Sequence, residues 1–388
     1  MNTAFTPSPP AQGGVPDVLY ARRTIVCFSH LRWGFVHQRP QHVLSHAART
    51  DRVFFIEEPI AAPGESTFRM QVAASGVMVL TPCIDPAADQ VLEQQKLVAD
   101  LHRSLKGDVV THWFYTPMAL RFVQDQPCHL CVYDCMDELS AFRFAPPELK
   151  ALERALLDRA DLVFTGGRSL FEAKRAQHPD VHCFPSSVDT DHFARARQQL
   201  TDPGDQAGLA QPRIGFAGVI DERIDLDLIA TAAAAMPEVQ FVMLGPTAKI
   251  DPATLPRAAN IHWLGCKDYA DLPAYMANWQ AAWMPFALND ATRFISPTKT
   301  PEYLAAGLPV ASTAVADVVA SYGRQGLVTI TDAATVATDL RACLSPATAD
   351  WSQAVDRALR QMSWARTWRS MQALMMARSK VAKEPAHV

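Results

Sequence analysis

The sequence predicts an α/β protein built on two parallel sheets, and three observations carry that prediction. Short apolar runs bounded by turn residues recur along the chain. Helix-length stretches separate them. The alternation stops once, near the middle, and then restarts. Parallel strands joined by helical crossovers read this way, because helices cover both faces of the sheet and leave its strands apolar throughout.

In order, TIVCFSH, RVFFIEEP, GVMVLTP, HLCVYD, ADLVFTGG and VHCFPSS read as strands, with QRPQHVLSHAA, ADQVLEQQKLVADLHRSL and PPELKALERALLD as intervening helices. Residues 198–212, QQLTDPGDQAGLAQP, carry Gly, Pro and Asp without any period and mark a linker. Strands resume as RIGFAGVID, VQFVMLGP, NIHWLG, AAWMPF, LPVAST and GLVTIT. Helices around LDLIATAAAA, ADLPAYMANW, PEYLAAG and ATVATDLRACL separate them. The expected organisation is a Pro/Gly/Ser-rich flexible tail (1–20), a first domain (21–197), the linker (198–212), a second domain (213–360) and a C-terminal amphipathic helix (361–388). That helix sets Trp364, Trp368, Met371 and Met375 on apolar faces. Packing back onto the first domain is the expectation, and a basic membrane-surface helix is the alternative.

The chain has 388 residues, 49% of them hydrophobic, which suffices for two cores. A net charge of -4 supplies no field for nucleic acid or an anionic bilayer. Nowhere do about 18 apolar residues run together, as a spanning helix requires. The N-terminus, MNTAFTPSPPAQGGVPDVLYARR, lacks the basic-then-apolar order of a signal peptide. The expected location is the cytoplasm, with peripheral contact at the inner face of the membrane as the further option. The eight cysteines lie largely in strand-like runs, where Cys behaves as a small buried hydrophobe. Alternation along HLCVYDC is expected to turn Cys128 away from Cys131 and Cys135, so no metal site is expected there.

Two domains joined by one linker imply a cleft, and ligands bind beyond the C-terminal ends of parallel strands. Candidate residues are therefore those in loops after strands. In FISPTKTPEYLAAGLPV, Ser296-Pro297 and Thr300-Pro301 start a short helix, and Gly307 with Pro309 ends it. Its first N–H groups and Lys299 would face the cleft with positive charge, and Glu302 could accept bonds from two ribose hydroxyls. The alternative is that both are exposed helix residues. After RIGFAGVI, Arg223 is either an anion site or part of an ion-pair network with Asp221 and Glu222; Gly215 and Gly218 bracket that strand end. In the first half, FSHLRWGFVHQRPQ places His30, Arg32, Trp33 and Gly34 after a strand. His112 reads chiefly as a satisfied core residue. Asp134 and Asp137 end another strand, as cleft carboxylates or as caps and turn formers.

The ordered set FTGGRSLFEAKRAQHPDVHCFPSSVDTDHF, GFAGVIDERIDLDLI, VQFVMLGP, IHWLGCKDYADLPAYMANWQAAWMPF and SPTKTPEYLAAGLPVAST resembles the GT-B glycosyltransferases of family 4. The first half is similar to a bacterial subgroup that includes the teichuronic acid biosynthesis transferases, and SVDTDHF is similar to the family's turn before its interdomain linker. The resemblance implies a GT-B fold, two Rossmann-like domains facing each other across a cleft. It implies transfer of a sugar from a UDP- or GDP-sugar to a glycan or lipid-linked acceptor, with retention, in cell-surface polysaccharide synthesis. No metal and no cofactor beyond the nucleotide sugar are expected. Carried onto this chain, it implies Asp137, Arg223 and Lys299 at the reaction centre. Gly218, Arg223, Gly265, Asn289, Ser296, Thr298, Lys299 and Glu302 would hold the donor, and His30, Trp33, Gly34 and Asp134 the acceptor. The chain departs from the pattern in three places. Phe294 stands where the family often has the first of two glutamates, which leaves Asn289, Thr292 or Arg293 to meet the sugar. Val219 stands at a usual arginine, and a cleft histidine of the first domain is replaced around Asp137. An epimerase of the same fold, or a non-catalytic nucleotide-sugar-binding subunit, is the alternative.

Overall fold

The computed structural model describes residues 21–123 and 125–381; the expected tail, 1–20, and the end of the C-terminal segment, 382–388, lie outside them. The apolar runs of the first half form β1 (Arg23–Phe28), β2 (Arg52–Ile56), β3 (Ile60–Ala61), β4 (Thr67–Val72), β5 (Met78–Ile84), β6 (Val109–Phe114), β7 (Leu130–Cys135), β8 (Leu162–Thr165) and β9 (Val181–Cys183). They hydrogen-bond in the order β3-β5-β2-β1-β6-β7-β8-β9. The path is parallel, and β4 alone, among the described residues, pairs antiparallel, with β5. The sequence reading contains neither β3 nor β4. In TFRMQV only Phe68 reaches the core, so this strand lacks the apolar run that marks the others.

The second half forms β10 (Arg213–Ala217), β11 (Gln240–Leu244), β12 (Ile261–Gly265), β13 (Ala281–Met284), β14 (Val310–Ser312) and β15 (Thr329–Ile330), all parallel, in the order β12-β11-β10-β13-β14-β15. In each sheet the order reverses beside a central strand, β1 against β6 and β10 against β13. Such a reversal opens a crevice at the strand ends. The two crevices supply the loops 29–38, 218–225 and 285–298.

The helix Trp364–Val381 packs on the first sheet: Trp364, Trp368, Met371 and Met375 join Val43, Leu44 and Trp113 in one buried cluster. One local expectation needs correction, at Cys128. Residues 198–212 run between the two sheets and are packed in place. Gln206 is fully buried; its amide donates to Asp202 and to the Tyr275 carbonyl, and it accepts from the Trp279 indole at 2.7 Å. Cys128 packs in the same layer as Cys131 and Cys135, because it precedes the strand and alternation does not govern it. Among the described residues no cluster of three or more His, Cys, Asp or Glu could hold a metal ion.

Candidate functional site

Three cavities run end to end along the cleft. The first, of about 280 Å³, lies between the Trp33–His37 loop and the strand ends at Gly218, Gly245 and Lys267–Tyr269. The middle one, of about 110 Å³, is lined by Asp137, Arg223 and the Ser296–Lys299 loop. The third, of about 490 Å³, lies mostly on the first domain, with Lys249 and Arg223 reaching in from the second. Val36, His37, Gly218 and Lys299 line both the first and the middle cavity; Gln38, Asp137, Val219 and Arg223 line both the middle and the third.

The first cavity depends on close backbone approach. The φ of Gly245 is 139°, and a Cβ there would meet the Gly218 carbonyl oxygen at 1.7 Å, so only glycine lets these two strand ends lie side by side. His37 stacks on Tyr269 with ring centroids 4.2 Å apart, and thereby joins the first domain's loop to the second domain across the cavity. Burial first, then Lys299 and His192, lower the His37 pKa to about 4.

The middle cavity gathers charge. The Lys299 ammonium pairs with the Glu302 carboxylate at 2.9 Å. Glu302 is almost completely buried, which raises its pKa, and Lys299 opposes that rise. Arg223 forms a two-pronged pair with Asp221, Nε to Oδ1 at 2.9 Å and Nη2 to Oδ2 at 2.7 Å. The Phe142 ring lies under two cations, 5.4 Å from the Arg223 guanidinium and 5.0 Å from the Lys249 ammonium. Burial pushes the Asp137 carboxyl up to about 6, against the pull of Arg223, and with Asp221 adding to the rise. A carboxyl poised near neutrality between two cavities is suited to exchange a proton or orient a hydroxyl.

Most of the residues singled out in the sequence meet here, with corrections. Asp134, expected at the acceptor, is fully buried and bonded bidentate to Arg39, Nε to Oδ2 at 3.0 Å and Nη2 to Oδ1 at 2.8 Å. It lies within the strand, whereas Asp137 has left it, so one is structural and the other faces the cavities. Trp33 and Gly34, also expected at the acceptor, line the first cavity beside Gly218, because their loop crosses to the other sheet's strand ends. His30 lines the third cavity. Asn289 lines none of the three; its amide donates to the Glu222 carbonyl, bracing the loop. Gly265, with φ 73°, stands behind the cavity residue Cys266 and accepts from the Gly245 N–H.

The short helix begins at Lys299, two residues after Pro297, and no side chain caps it. The Thr300 hydroxyl points instead to the Met284 sulfur, and the Ser296 carbonyl accepts from Ser186 of the first domain at 2.5 Å. Phe294, at the position of the family's glutamate, packs against the first domain's core. Glu302 meets Lys299 rather than open space. Sequence reasoning missed Lys249, His37, Tyr269 and Lys267. Lys249 and Lys267 do follow β11 and β12, so the rule that looks in loops after strands would have found them.

Residues 211–345 match the family model for Glycosyl transferases group 1. Over that stretch the second domain is similar to the group 1 glycosyl transferases. A Bacillus subtilis (strain 168) protein named as a candidate teichuronic acid biosynthesis glycosyltransferase, TuaH, is 27% identical over 198 residues. That match covers 47% of this chain and 50% of the relative, so the likeness spans about half of the relative's length. Among solved structures, a sucrose-phosphate synthase from Thermosynechococcus elongatus aligns with a TM-score of 0.65 at 15% identity, over 94% of this chain and 100% of its own. A trehalose-6-phosphate structure from E. coli, bound with UDP-2-fluoro glucose, aligns with a TM-score of 0.67 at 13% identity, over 92% and 99%. At these identities the likeness is one of fold: the two domains, facing each other across the cleft, are in the GT-B arrangement.

Proposed function

We propose that the protein is a retaining glycosyltransferase that moves a hexose from a UDP- or GDP-sugar to a glycan or lipid-linked acceptor in cell-surface polysaccharide synthesis. One observation carries this reading: Asp137, Arg223 and Lys299 line a small middle cavity that shares walls with a larger cavity on either side. A nucleotide in the first cavity would place its diphosphate at Gly218 and Lys299, beside Arg223. An acceptor in the third would present its hydroxyl at Asp137.

In the reaction, the bond from the acceptor oxygen to the sugar carbon forms while the bond from that carbon to the diphosphate oxygen breaks. The hydroxyl proton passes to the departing diphosphate. The chain's work is to hold the acceptor hydroxyl on the face of the sugar carbon from which the diphosphate leaves, as retention requires, and to balance the charge that develops on the leaving group. Lys299 and Arg223 supply that balance without a metal. The Lys299–Glu302 pair is where a ribose would be received: two vicinal hydroxyls can bond the carboxylate while the ammonium turns toward the diphosphate. The cytoplasm, with the acceptor held at the inner face of the membrane, is the setting that supplies such a donor.

The test is a melting-temperature panel of nucleotide sugars, because a ligand that binds the folded state raises the melting point by mass action. One or a few of them are expected to stabilise the wild type, and Lys299→Ala and Glu302→Ala to shrink the shift. Product analysis then distinguishes a new glycoside from an altered sugar nucleotide. If no sugar nucleotide stabilises the wild type, the donor assignment fails.

A further inference from the structure

The third cavity differs in kind from the first. Its lining is predominantly apolar, from Phe28 and Ile56 at its floor to Leu139 and Phe142 on the side nearest the second domain. Several polar side chains on its walls are engaged already, while the buried His30 Nδ1 has no partner among the described residues. Glu57 accepts from Arg32, from the Trp33 N–H and from Thr81. Gln94 donates back to the Gln90 carbonyl, Thr116 accepts from the Met118 N–H, and Arg121 pairs with Glu148. A sugar ring needs many unengaged donors and acceptors around it, and this wall offers few. At one end, where the middle cavity begins, stand Asp137, Arg223 and Lys249.

The rim adds a second, independent observation. Phe144 lines the cavity, is 80% exposed, and has φ 66°, a conformation unfavourable for a bulky side chain. Leu288, on the facing loop of the second domain, is 66% exposed. The two lie close together across the cleft, since their neighbours Arg143 and Asn289 both bond Glu222. A large apolar side chain held in water at the lip of an apolar cavity, with a second one nearby, is the mark of a surface that meets an apolar ligand.

We infer that the acceptor is an amphiphile with an aliphatic tail, its hydroxyl-bearing head at Asp137 and its tail along the apolar wall, leaving the protein between Phe144 and Leu288. The distribution of charge selects this occupant, polar at one end and apolar along its length. The inference rests on the third cavity being the acceptor site, and it selects the lipid-linked class over a free glycan.

The test uses the full chain and measures dissociation constants for methyl, hexyl and octyl β-D-glucopyranoside, each below its micelle concentration, by saturation-transfer NMR. Affinity is expected to rise at least tenfold from methyl to octyl; the ceiling is roughly fourfold per methylene for complete burial. Leu139→Gln and the exposed-site variant Phe144→Ser are each expected to weaken octyl binding at least threefold and to leave methyl binding unchanged. Equal affinity across tail lengths overturns the inference, as does tail-dependent binding that neither variant alters. The melting panel of sugar nucleotides, run on the same samples, separates the two proposals. A donor shift without tail dependence sinks the lipid assignment alone. Tail dependence without a donor shift sinks the donor assignment and supports the apolar site.

Discussion

At the end of the cleft bounded by Gly218, Gly245 and Lys299, the wall is made of backbone brought close by glycines and of fixed charge. At the end bounded by Leu139, Phe142 and Phe144, it is made of apolar side chains from several separate loops and strands. The difference reflects two kinds of recognition. Backbone and a cation recognise a group of fixed geometry such as a diphosphate, and they sit in loops directly after strands. An apolar wall recognises shape and the loss of water, and it is assembled from residues far apart in the chain.

Four experiments test this contrast between the two ends of the cleft. The largest effect is expected at Asp134→Asn. Removing half of the buried Arg39–Asp134 pair leaves a buried guanidinium without its partner, which costs about 3–5 kcal/mol. Urea unfolding of the variant measures it; a loss under about 1 kcal/mol means that Asp134 is not the internal brace of this strand end. Next, Lys299→Ala removes the cation at the junction of the first two cavities, and turnover is expected to fall roughly 10²- to 10³-fold, as when one donor to developing charge is lost. Turnover within a few-fold of wild type breaks the assignment of that end to a leaving diphosphate.

Asp137→Asn should act oppositely on stability and on rate. The Asp137 carboxyl titrates near 6 in the fold rather than at its ordinary 3.8, so the fold favours its neutral form. The stability linked to that neutral form is fully present below about pH 3.8 and is lost as pH rises through about 6. At pH 7 the asparagine variant should therefore be more stable than wild type, by less than about 3 kcal/mol given partial exposure, with lower turnover. Melting curves at pH 4 and pH 7 check the sign; an equal difference at both pH values refutes the linkage.

The smallest effect concerns how the domains are held. The helix Arg168–Lys174 of the first domain has no side-chain cap of its own; its Arg168 and Ser169 N–H groups donate to Asp317 of the second domain at 2.8 and 2.9 Å. Gly167 makes room for it, since a Cβ there would meet Asp317 at 2.3 Å and Ser296 at 2.7 Å. Asp317→Ala should cost about 1–3 kcal/mol through two unsatisfied N–H groups. It should also widen the distribution of domain separations in small-angle scattering. An unchanged scattering curve would show that the clasp does not govern closure.

Much of the fold was legible because parallel strands are buried on both faces and announce themselves as apolar runs. The antiparallel β4 was not, since its exposed residues carry no such run. The charged part of the site was legible at Arg223, Lys299 and Asp137, each in a loop after a strand. Asp134 misled, being three residues from Asp137 with the same chemistry. Its role depends on Arg39, 95 positions away, which no local pattern connects to it.

The local pattern of residues was enough to predict the two sheets, the break between them near residue 200, and a cationic strand-end segment around Lys299. It could do so because hydrophobic periodicity and turn chemistry are local properties of the chain. Long-range packing set Trp33 against the second domain's strand ends, let Gln206 lock the linker, and made Asp317 clasp a helix of the other domain. It also placed Phe142 under two cations from two distant loops. These are contacts between groups more than 60 residues apart, and they form only once each domain has buried its own core and set its strand ends facing the other.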